Sequence, residues 1–310
     1  MTTSAPFGAR LDDVVVRFDG GRRLLPNGTL VKDEAGTGLD GATLTIRPGT
    51  ITGVLGRNGA GKTTMLSLLA AFTRPTSGAV VVGPEGEQED PWENPWVTSG
   101  TQLVRESGDL MNDEKVTTSL KYYADMRPDW SAETAGRLLD LFEVDVRKNP
   151  SALSRGKRSA IGATVGLATR APLTIFDEVY LGMDAPTRYA FYDELLADYA
   201  EHPRTILLSS HLVEEVERLF EDVVVIDNGR VLLAESADEM RARGFSLTGT
   251  RDAVERIAGG RRVLHRQQLG ATVQVTLEGA LDDAERADAR AARVGGDGVG
   301  RPGAHDCTLP

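Results

Sequence analysis

The sequence has few of the residues that build metal clusters or disulfide frameworks. Among its 310 residues there is one cysteine, Cys307, so no disulfide forms within the chain and no cysteine-rich zinc cluster is available. Its four histidines show no metal-ligand spacing, and they are His202, His211, His265 and His305. The sequence therefore predicts a fold that is held together by its apolar core rather than by cross-links.

Long apolar segments are missing too. No stretch approaches the roughly 20 apolar residues of a membrane-spanning helix, and the opening MTTSAPFGAR has no apolar core of a signal peptide. We therefore expect a cytoplasmic chain, which can still dock on a membrane protein. The formal net charge of −11 disfavours a protein that binds nucleic acid by covering phosphates with Lys and Arg, and we predict no nucleic-acid partner.

The hydrophobic pattern predicts an α/β domain that is interrupted by helices. β-Branched and apolar runs indicate strands at 11–18, 42–56, 172–177, 205–210 and 223–235. Helical spacing indicates helices at 62–72, 113–126, 131–144, 154–169, 185–200 and 211–220. This order predicts an α/β core with a helical subdomain inserted at about 107–171.

The C-terminal part has a different composition. After about residue 243 the pattern predicts a small strand–helix–hairpin unit, and the last thirty residues are rich in Ala, Arg, Asp and Gly. We predict a main domain over 1–242, an α+β accessory unit over 243–281 and a disordered tail over 282–310.

The segment GRNGAGKT (56–63) fits the phosphate-binding pattern G-x-x-x-x-G-K-[ST] at every fixed position. An apolar strand precedes it and an apolar helix follows it, which is the context that the pattern requires. Its glycines let backbone N–H groups turn toward an anion, and the start of the helix adds partial positive charge. Lys62 is expected to reach the β- and γ-phosphates, and the Thr63 hydroxyl is expected to hold Mg²⁺.

A second acidic motif ends the strand in LTIFDE (173–178). Its two carboxylates need different roles. Asp177, at the end of the strand, is expected to bind Mg²⁺ directly or through water. Glu178 is expected to lie beside the γ-phosphate and to polarise the attacking water.

Together these motifs resemble the nucleotide-binding subunit of an ATP-binding-cassette (ABC) transporter over about residues 11–242. The resemblance implies an ABC-type P-loop NTPase core with an antiparallel β subdomain and an inserted helical subdomain, followed by the small C-terminal α+β unit. It also implies that ATP contacts the loop residues Gly56, Arg57, Asn58, Gly59, Ala60, Gly61, Lys62, Thr63 and Thr64.

Three further residues match positions that are characteristic of this family. His211 follows the strand TILLSS and matches the switch histidine, which contacts the γ-phosphate. Asp184, in LGMDA (181–185), matches the key position of the loop after the acidic motif. Phe18 matches the aromatic residue that stacks on adenine, although the stretch from Phe18 to Lys62 is longer than is usual in the family.

The segment LSRGK (153–157) resembles the family signature LSGGQ, in which one subunit closes over the ATP of the other. Ser154 and Gly156 match the pattern, whereas Arg155 replaces a glycine and Lys157 a glutamine. One interpretation is that this motif is degenerate. The other, which we favour, is that two cations were added at an anion site, where Arg pairs well with phosphate oxygens.

Two other positions depart from the family pattern. Glu106 aligns with a glutamine that contacts Mg²⁺ and water in the family, and Gln102 lies close by but within the predicted strand. We therefore include Glu106 with Thr63 and Asp177 as candidate Mg²⁺ ligands. Val179 replaces the proline that usually follows the catalytic glutamate.

The resemblance predicts an ATPase that uses ATP and Mg²⁺, with Glu178 and His211 as its catalytic residues. We expect a homodimer, or a heterodimer with another ABC ATPase subunit, that drives a separate membrane permease from the inner face of the cell membrane and exports its cargo. Two alternatives remain open. One is a regulatory cassette with little hydrolysis, and the other is a non-transport ABC ATPase.

Overall fold

A six-stranded sheet, in which four neighbouring strands run parallel, forms the centre of the larger of two units in the computed structural model. The structure describes residues 5–20, 22–24, 30–32, 36–106, 109–210, 219–279, 281–282, 284–286, 289 and 295–298. The larger unit comprises Met1–His211 and Val224–Ala234, and the smaller comprises Leu212–Val223 and Glu235–Pro310. The division near residue 235 does not test the domain boundaries expected from the sequence, which stay predictions.

The central sheet has six strands, in the order β11-β10-β5-β9-β8-β7. In chain order they are β5 (Ile51–Leu55), β7 (Thr101–Arg105), β8 (Leu173–Asp177), β9 (Thr205–Ser210), β10 (Asp222–Asp227) and β11 (Arg230–Ser236). Every residue of β5, β8 and β9 is buried, as expected for parallel strands that are covered on both faces. Since β5, β9, β8 and β7 pair in parallel, their carboxyl ends share one edge of the sheet.

An antiparallel sheet lies in the same unit, with the strand order β4-β1-β6. Its strands are β1 (Gly8–Phe18), β4 (Gly36–Ile46) and β6 (Ser77–Gly83). Alternating burial along β4 shows that one face of this strand is turned to the core. The pairing of β1 with β4 contains register shifts between Leu11 and Arg17. The two short strands β2 (Arg22–Leu24) and β3 (Leu30–Lys32) pair antiparallel with each other.

Helix α1 (Lys62–Leu69) follows the glycine-rich loop and is shorter than predicted. It ends because Ala71 takes a left-handed backbone conformation, with φ of 59°, while the N–H of Phe72 bonds to the carbonyl of Ser67. A short helix, α2 (Pro95–Ser99), precedes β7 and was not predicted. Its start is capped by Asn94, whose side chain accepts bonds from two backbone N–H groups.

Three helices lie between β7 and β8, as predicted: α3 (Val116–Met126), α4 (Ala132–Leu141) and α5 (Arg155–Thr169). Helix α5 lies against β8 through a glycine. A Cβ on Gly166 would come within 2.2 Å of Phe176 Cε1, so no larger residue fits there without displacing the ring. After β8, helix α6 (Ala185–Glu201) leads to β9.

The smaller unit contains helix α7 (Ala237–Ala242) and a four-stranded antiparallel sheet in the order β13-β14-β12-β15. Its strands are β12 (Gly244–Thr250), β13 (Val263–Leu269), β14 (Thr272–Glu278) and β15 (Gly295–Gly298). Helix α8 (Arg251–Ala258) packs its apolar residues on this sheet. The predicted strand–helix–hairpin is therefore present, and β15 lies within the stretch for which the sequence predicts disorder.

The fold class predicted from the sequence is confirmed. Parallel and antiparallel sheets, the helical insert between β7 and β8, and an α+β unit after the core are all present. Throughout the described ranges, no helix combines the length and apolarity needed to cross a membrane.

Candidate functional site

The glycine-rich loop runs from the end of β5 to the start of α1 at the carboxyl edge of the central sheet. Two of its glycines are required by close backbone contacts. A Cβ on Gly56 would lie 2.4 Å from the carbonyl oxygen of Ile226, and a Cβ on Gly61 would lie 2.5 Å from that of Gly38. Gly61 also has a φ of 110°, which side chains rarely allow. Close contacts with neighbouring backbone therefore explain why both positions are occupied by glycine.

The Lys62 side chain is buried, with 5% of its surface exposed. Its Nζ donates to the carbonyl oxygens of Gly56 and Arg57, at 2.8 and 3.2 Å. It also lies 3.1 Å from Glu178 Oε1. A buried ammonium needs such partners, because burial without them is very unfavourable. The loop and the acidic motif are thus joined by one ion pair.

Asp177 stands at the end of β8 and accepts hydrogen bonds on both carboxylate oxygens. Thr63 Oγ1 donates to Oδ2 at 2.8 Å, and Ser209 Oγ donates to Oδ1 at 2.7 Å. Ser209 lies at the same sheet edge because β9 pairs with β8 in register, opposite Asp177. Sequence reasoning missed Ser209, because no local pattern joins this serine to Asp177.

The backbone of Glu178 has φ of 51° and ψ of 29°, in the left-handed region. This conformation turns the chain out of β8 and into the short helical turn Val179–Gly182. The Glu178 N–H donates to Ser209 Oγ at 3.0 Å, and its carbonyl accepts from Leu181 N–H at 3.1 Å. These two hydrogen bonds fix the backbone of Glu178, and the ion pair with Lys62 fixes its side chain.

A cavity of about 320 Å³ opens beside the loop. It is lined by loop residues, the acidic motif and two neighbouring strands: Phe18, Thr37, Gly38, Asn58, Gly59, Gly61, Lys62, Thr63, Thr64 and Glu178. Of the other loop residues, Gly56 and Arg57 hold Lys62 through their carbonyls, and Ala60 is buried.

Phe18 lies at the cavity even though it is distant from Lys62 in the chain. It is 47% exposed at the end of β1. A Cβ on Gly38 would lie 2.8 Å from both the Phe18 ring and the Thr64 methyl group, so the absence of a side chain there lets the two come together. The extra residues between Phe18 and the loop do not separate them.

The signature-like segment forms the start of α5. Ser154 is its N-cap, and its hydroxyl accepts a bond from the Lys157 N–H at 3.3 Å. Gly156 packs against the turn after the acidic motif, since a Cβ there would lie 2.8 Å from the Gly182 carbonyl oxygen. The Lys157 ammonium donates to the carbonyl of Phe142.

Arg155 and Glu106, two departures from the family pattern, contact each other. The Arg155 guanidinium forms an ion pair with the Glu106 carboxylate, just after β7. The Glu106 carbonyl also accepts a bond from Ser159 Oγ at 3.4 Å. Gln102, the other candidate, is buried within β7, and its amide nitrogen donates to the Leu103 carbonyl.

Two predicted residues remain. Asp184 is the N-cap of α6 and accepts from the Thr187 N–H at 3.0 Å. Hydrogen bonds from Thr187 lower the pKa of Asp184, because they favour the charged carboxylate. His211, the predicted switch histidine, lies outside the described residues.

Comparisons with known proteins agree with this geometry. Residues 39–180 match the family described as "ABC transporter". The Nod factor export ATP-binding protein I of Cupriavidus metallidurans is 31% identical over 207 residues, covering 65% of this chain and 67% of that protein. The doxorubicin resistance ATP-binding protein DrrA of Mycobacterium tuberculosis is 26% identical, covering 76% of this chain and 69% of that protein. Related proteins also include a methionine import ATP-binding protein of Corynebacterium glutamicum.

Among solved structures, a dimeric ATP-binding cassette in a post-hydrolysis state with ADP and phosphate matches with a TM-score of 0.60. It is 17% identical, and the match covers 74% of this chain and 98% of that one. This likeness concerns the fold. The sequence matches, above all the 31% identity to the Nod factor export protein over two thirds of its length, show that the chain belongs to the ABC transporter family and is one of its ATPases.

Proposed function

We propose that this chain is an ATP-hydrolysing subunit that dimerises around ATP and drives a separate membrane permease in the direction of export. The observation that carries the proposal is the meeting of Lys62, Thr63, Asp177 and Glu178 at one edge of the sheet. These residues come from two distant segments, and they have the cation, hydroxyl and carboxylates that phosphoryl transfer to water needs.

In this proposal the loop and Lys62 bind the phosphates. Backbone N–H groups at the start of α1 favour an anion, and the Lys62 ammonium, already held by the loop carbonyls, supplies the positive charge. Glu178 acts as the general base that polarises the attacking water. Its carboxylate is 3.1 Å from the Lys62 ammonium, which puts it next to the expected γ-phosphate.

The donor set fits Mg²⁺. The Thr63 hydroxyl and the Asp177 carboxylate are 2.8 Å apart, and both are the hard oxygen ligands that this cation prefers. Bound there, Mg²⁺ would neutralise charge on the phosphates.

The role of Glu106 as a third ligand stays a prediction, because its carboxylate has Arg155 as a partner. Phe18 is proposed to stack on adenine, and its exposed ring beside the loop cavity supports this role. His211 is proposed as the switch residue on the sequence match alone.

The residues at the start of α5 are the basis for the proposed dimerisation. Ser154, Arg155 and Gly156 lie at a helix N-terminus, where the partial positive charge favours an anion, and we propose that this anion is the γ-phosphate of ATP held by the second subunit. Asp184, at the start of α6, is proposed to join the same interface. The second subunit is either another copy of this chain or another ABC ATPase subunit.

A groove near β7 supports a permease partner. A cavity of about 790 Å³ is lined by residues of β7 and α3 and by neighbouring loops, including Phe72, Arg105, Tyr123 and Arg127. Phe72 is 61% exposed at its rim. Large apolar side chains at a polar groove are typical of protein–protein contacts. We propose that the chain binds there to its permease on the inner face of the cell membrane.

The proposed direction follows the names of two relatives, an export protein and a drug-resistance protein. A specific observation supports an alternative, a regulatory cassette that binds ATP with little turnover. Both cations in the altered signature have partners within their own chain. Such pairing would reduce their attraction to a phosphate of the second subunit.

Three measurements on the purified chain test the proposal. ATP binding, steady-state ATP hydrolysis and ATP-dependent dimerisation are measured, with the permease candidate from the neighbouring genes co-expressed to test association. All three activities are expected. Binding without turnover, with or without the permease, would favour the regulatory cassette, and the absence of permease association would favour a non-transport ATPase.

A further inference from the structure

The Ser209 hydroxyl connects the two acids of the predicted catalytic motif. It donates to Asp177 Oδ1 at 2.7 Å and accepts from the Glu178 N–H at 3.0 Å. Ser209 is fully buried at the end of β9. We propose that Ser209 is a positioning residue for ATP hydrolysis, which fixes the direction of Glu178 relative to Asp177. This inference rests on the proposed role of Glu178 as general base.

A hydroxyl suits this place because of its bonding capacity. It has one proton to donate and lone pairs with which to accept, so a single atom satisfies a carboxylate oxygen and a backbone N–H. An apolar side chain at 209 would remove a partner from each of these groups at a buried position. Loss of Ser209 therefore affects the orientation of both acids at once.

The backbone of Glu178 makes this contact important. A non-glycine residue in the left-handed region is strained, and it persists only where its surroundings hold it there. The N–H bond to Ser209 is one such contact, and it acts on the residue that carries the carboxylate. Without it, the peptide between Asp177 and Glu178 loses one of the contacts that hold it, and the position of the carboxylate beside Lys62 is less tightly fixed.

The expected kinetic signature is a loss of kcat with little loss of ATP binding. A small misplacement of a reacting group is enough to lower a rate by about 100-fold. Lys62 is held by the loop carbonyls and does not depend on Ser209, so the binding of ATP persists. We expect Ser209→Ala to lower kcat by about 10- to 100-fold and to change the affinity for ATP by less than about threefold.

The matched control is Thr169→Val. Thr169 is buried like Ser209, and its hydroxyl donates to the Val165 carbonyl within α5. The exchange removes one buried, hydrogen-bonded hydroxyl. Thr169 lies at the C-terminal end of α5, whereas the signature segment lies at its N-terminal end. Both variants should lose some thermal stability, but only Ser209→Ala should lose kcat. Ser209→Cys, which keeps the connectivity of the side chain but carries a larger atom that donates weakly, covers the case in which the alanine variant does not fold.

The experiment measures kcat, the affinity for ATP and the melting temperature for these variants, for Glu178→Gln and for the Ser209→Ala, Glu178→Gln double variant. If Ser209 acts through Glu178, the double variant turns over as slowly as Glu178→Gln alone. Normal kcat in Ser209→Ala and Ser209→Cys, while Glu178→Gln is inactive, would overturn this inference and leave the proposed function intact. Normal turnover in Glu178→Gln would overturn the proposed function itself.

Discussion

The loop edge of the sheet and the start of α5 are built in opposite ways. At the loop edge, Lys62 is buried and held by three oxygen atoms, and Asp177 has a donor on each carboxylate oxygen. At the start of α5, Arg155 is 61% exposed and pairs with one acid across the surface. The difference follows from where the proposed partners lie. The first region is proposed to bind the ATP of its own chain, whereas the second is proposed to contact the ATP of another subunit.

This contrast accounts for two of the departures from the family pattern, Arg155 and Glu106, but not for the buried Val179. Residues that are packed within one chain are fixed by its own fold, because any change leaves a buried group without a partner. A surface residue such as Arg155 has no such constraint. In the ion pair of Arg155 with Glu106, two surface positions that we interpret as departures from the family pattern carry opposite charges.

The largest effect is expected at the loop edge. Lys62→Ala removes the buried cation that faces the expected phosphates and leaves Glu178 without that partner. We expect the affinity for ATP to fall by about 100-fold or more, since charge-assisted bonds are among the strongest. Titration with a fluorescent ATP analogue measures this. Lys121→Ala, which removes an exposed cation, is the control, and affinity within a few-fold of wild type for Lys62→Ala would contradict the assignment.

Glu178→Gln should separate binding from chemistry. The amide keeps the shape of the side chain but cannot polarise water as a carboxylate does, so we expect turnover to fall by about 10²- to 10⁴-fold while ATP still binds. The dimer should then accumulate with ATP, as measured by size-exclusion chromatography. The exposed Glu85→Gln is the control. Turnover near the normal rate would place the base elsewhere.

A smaller effect is expected from the signature segment. Arg155→Gly with Lys157→Gln restores the usual family signature. If the cations contact the second subunit's ATP, binding by the monomer stays intact, while dimerisation and turnover fall by about tenfold, more at low salt than at high salt. We expect this loss, measured by steady-state turnover and light scattering. Unchanged dimerisation with unchanged or faster hydrolysis would show that the two cations have no role at ATP.

The smallest effect is expected at Glu106. Surface ion pairs contribute about 0–1 kcal/mol, so Glu106→Gln should change turnover by less than about fivefold. If Glu106 acts as the counter-ion of Arg155, this change disappears in the Arg155→Gly variant. If it binds Mg²⁺, the Mg²⁺ concentration needed for half-maximal turnover rises in both backgrounds. Turnover of the two single variants and of the double variant, each measured over a range of Mg²⁺ concentrations, decides whether Glu106 acts as a counter-ion or as a Mg²⁺ ligand.

The sequence was sufficient for the parts of the site that depend on local pattern. The loop between β5 and α1 and the acids after β8 follow from short motifs in a strand context, and the helices of the insert follow from periodicity. Ser209 was not predictable, because its function depends on the register of β9 beside β8. The Arg155–Glu106 pair was missed for the same reason, since no local pattern joins two segments so far apart in the chain.

Element ends were also less predictable than element types. Helix α1 was expected to continue to residue 72, because its apolar spacing continues that far. The left-handed Ala71 ends it earlier, and an alanine gives no sign of such a turn. Phe18 shows the reverse case. Its long distance in sequence from Lys62 argued against a place beside the loop, but Gly38 in β4 leaves room for the Phe18 ring next to Thr64.

The contact between Gly166 and Phe176 has a mechanical consequence. Phe176 directly precedes Asp177, and with no side chain on Gly166 the helix lies directly against the strand. Helix α5 has 15 residues and is therefore about 22 Å long. A displacement of the acid-bearing end of β8 would therefore push on α5 near Gly166, at the end of the helix that is remote from Ser154. If α5 tilts in response, a change at the chain's own nucleotide site would move the segment that is proposed to contact the second subunit's ATP.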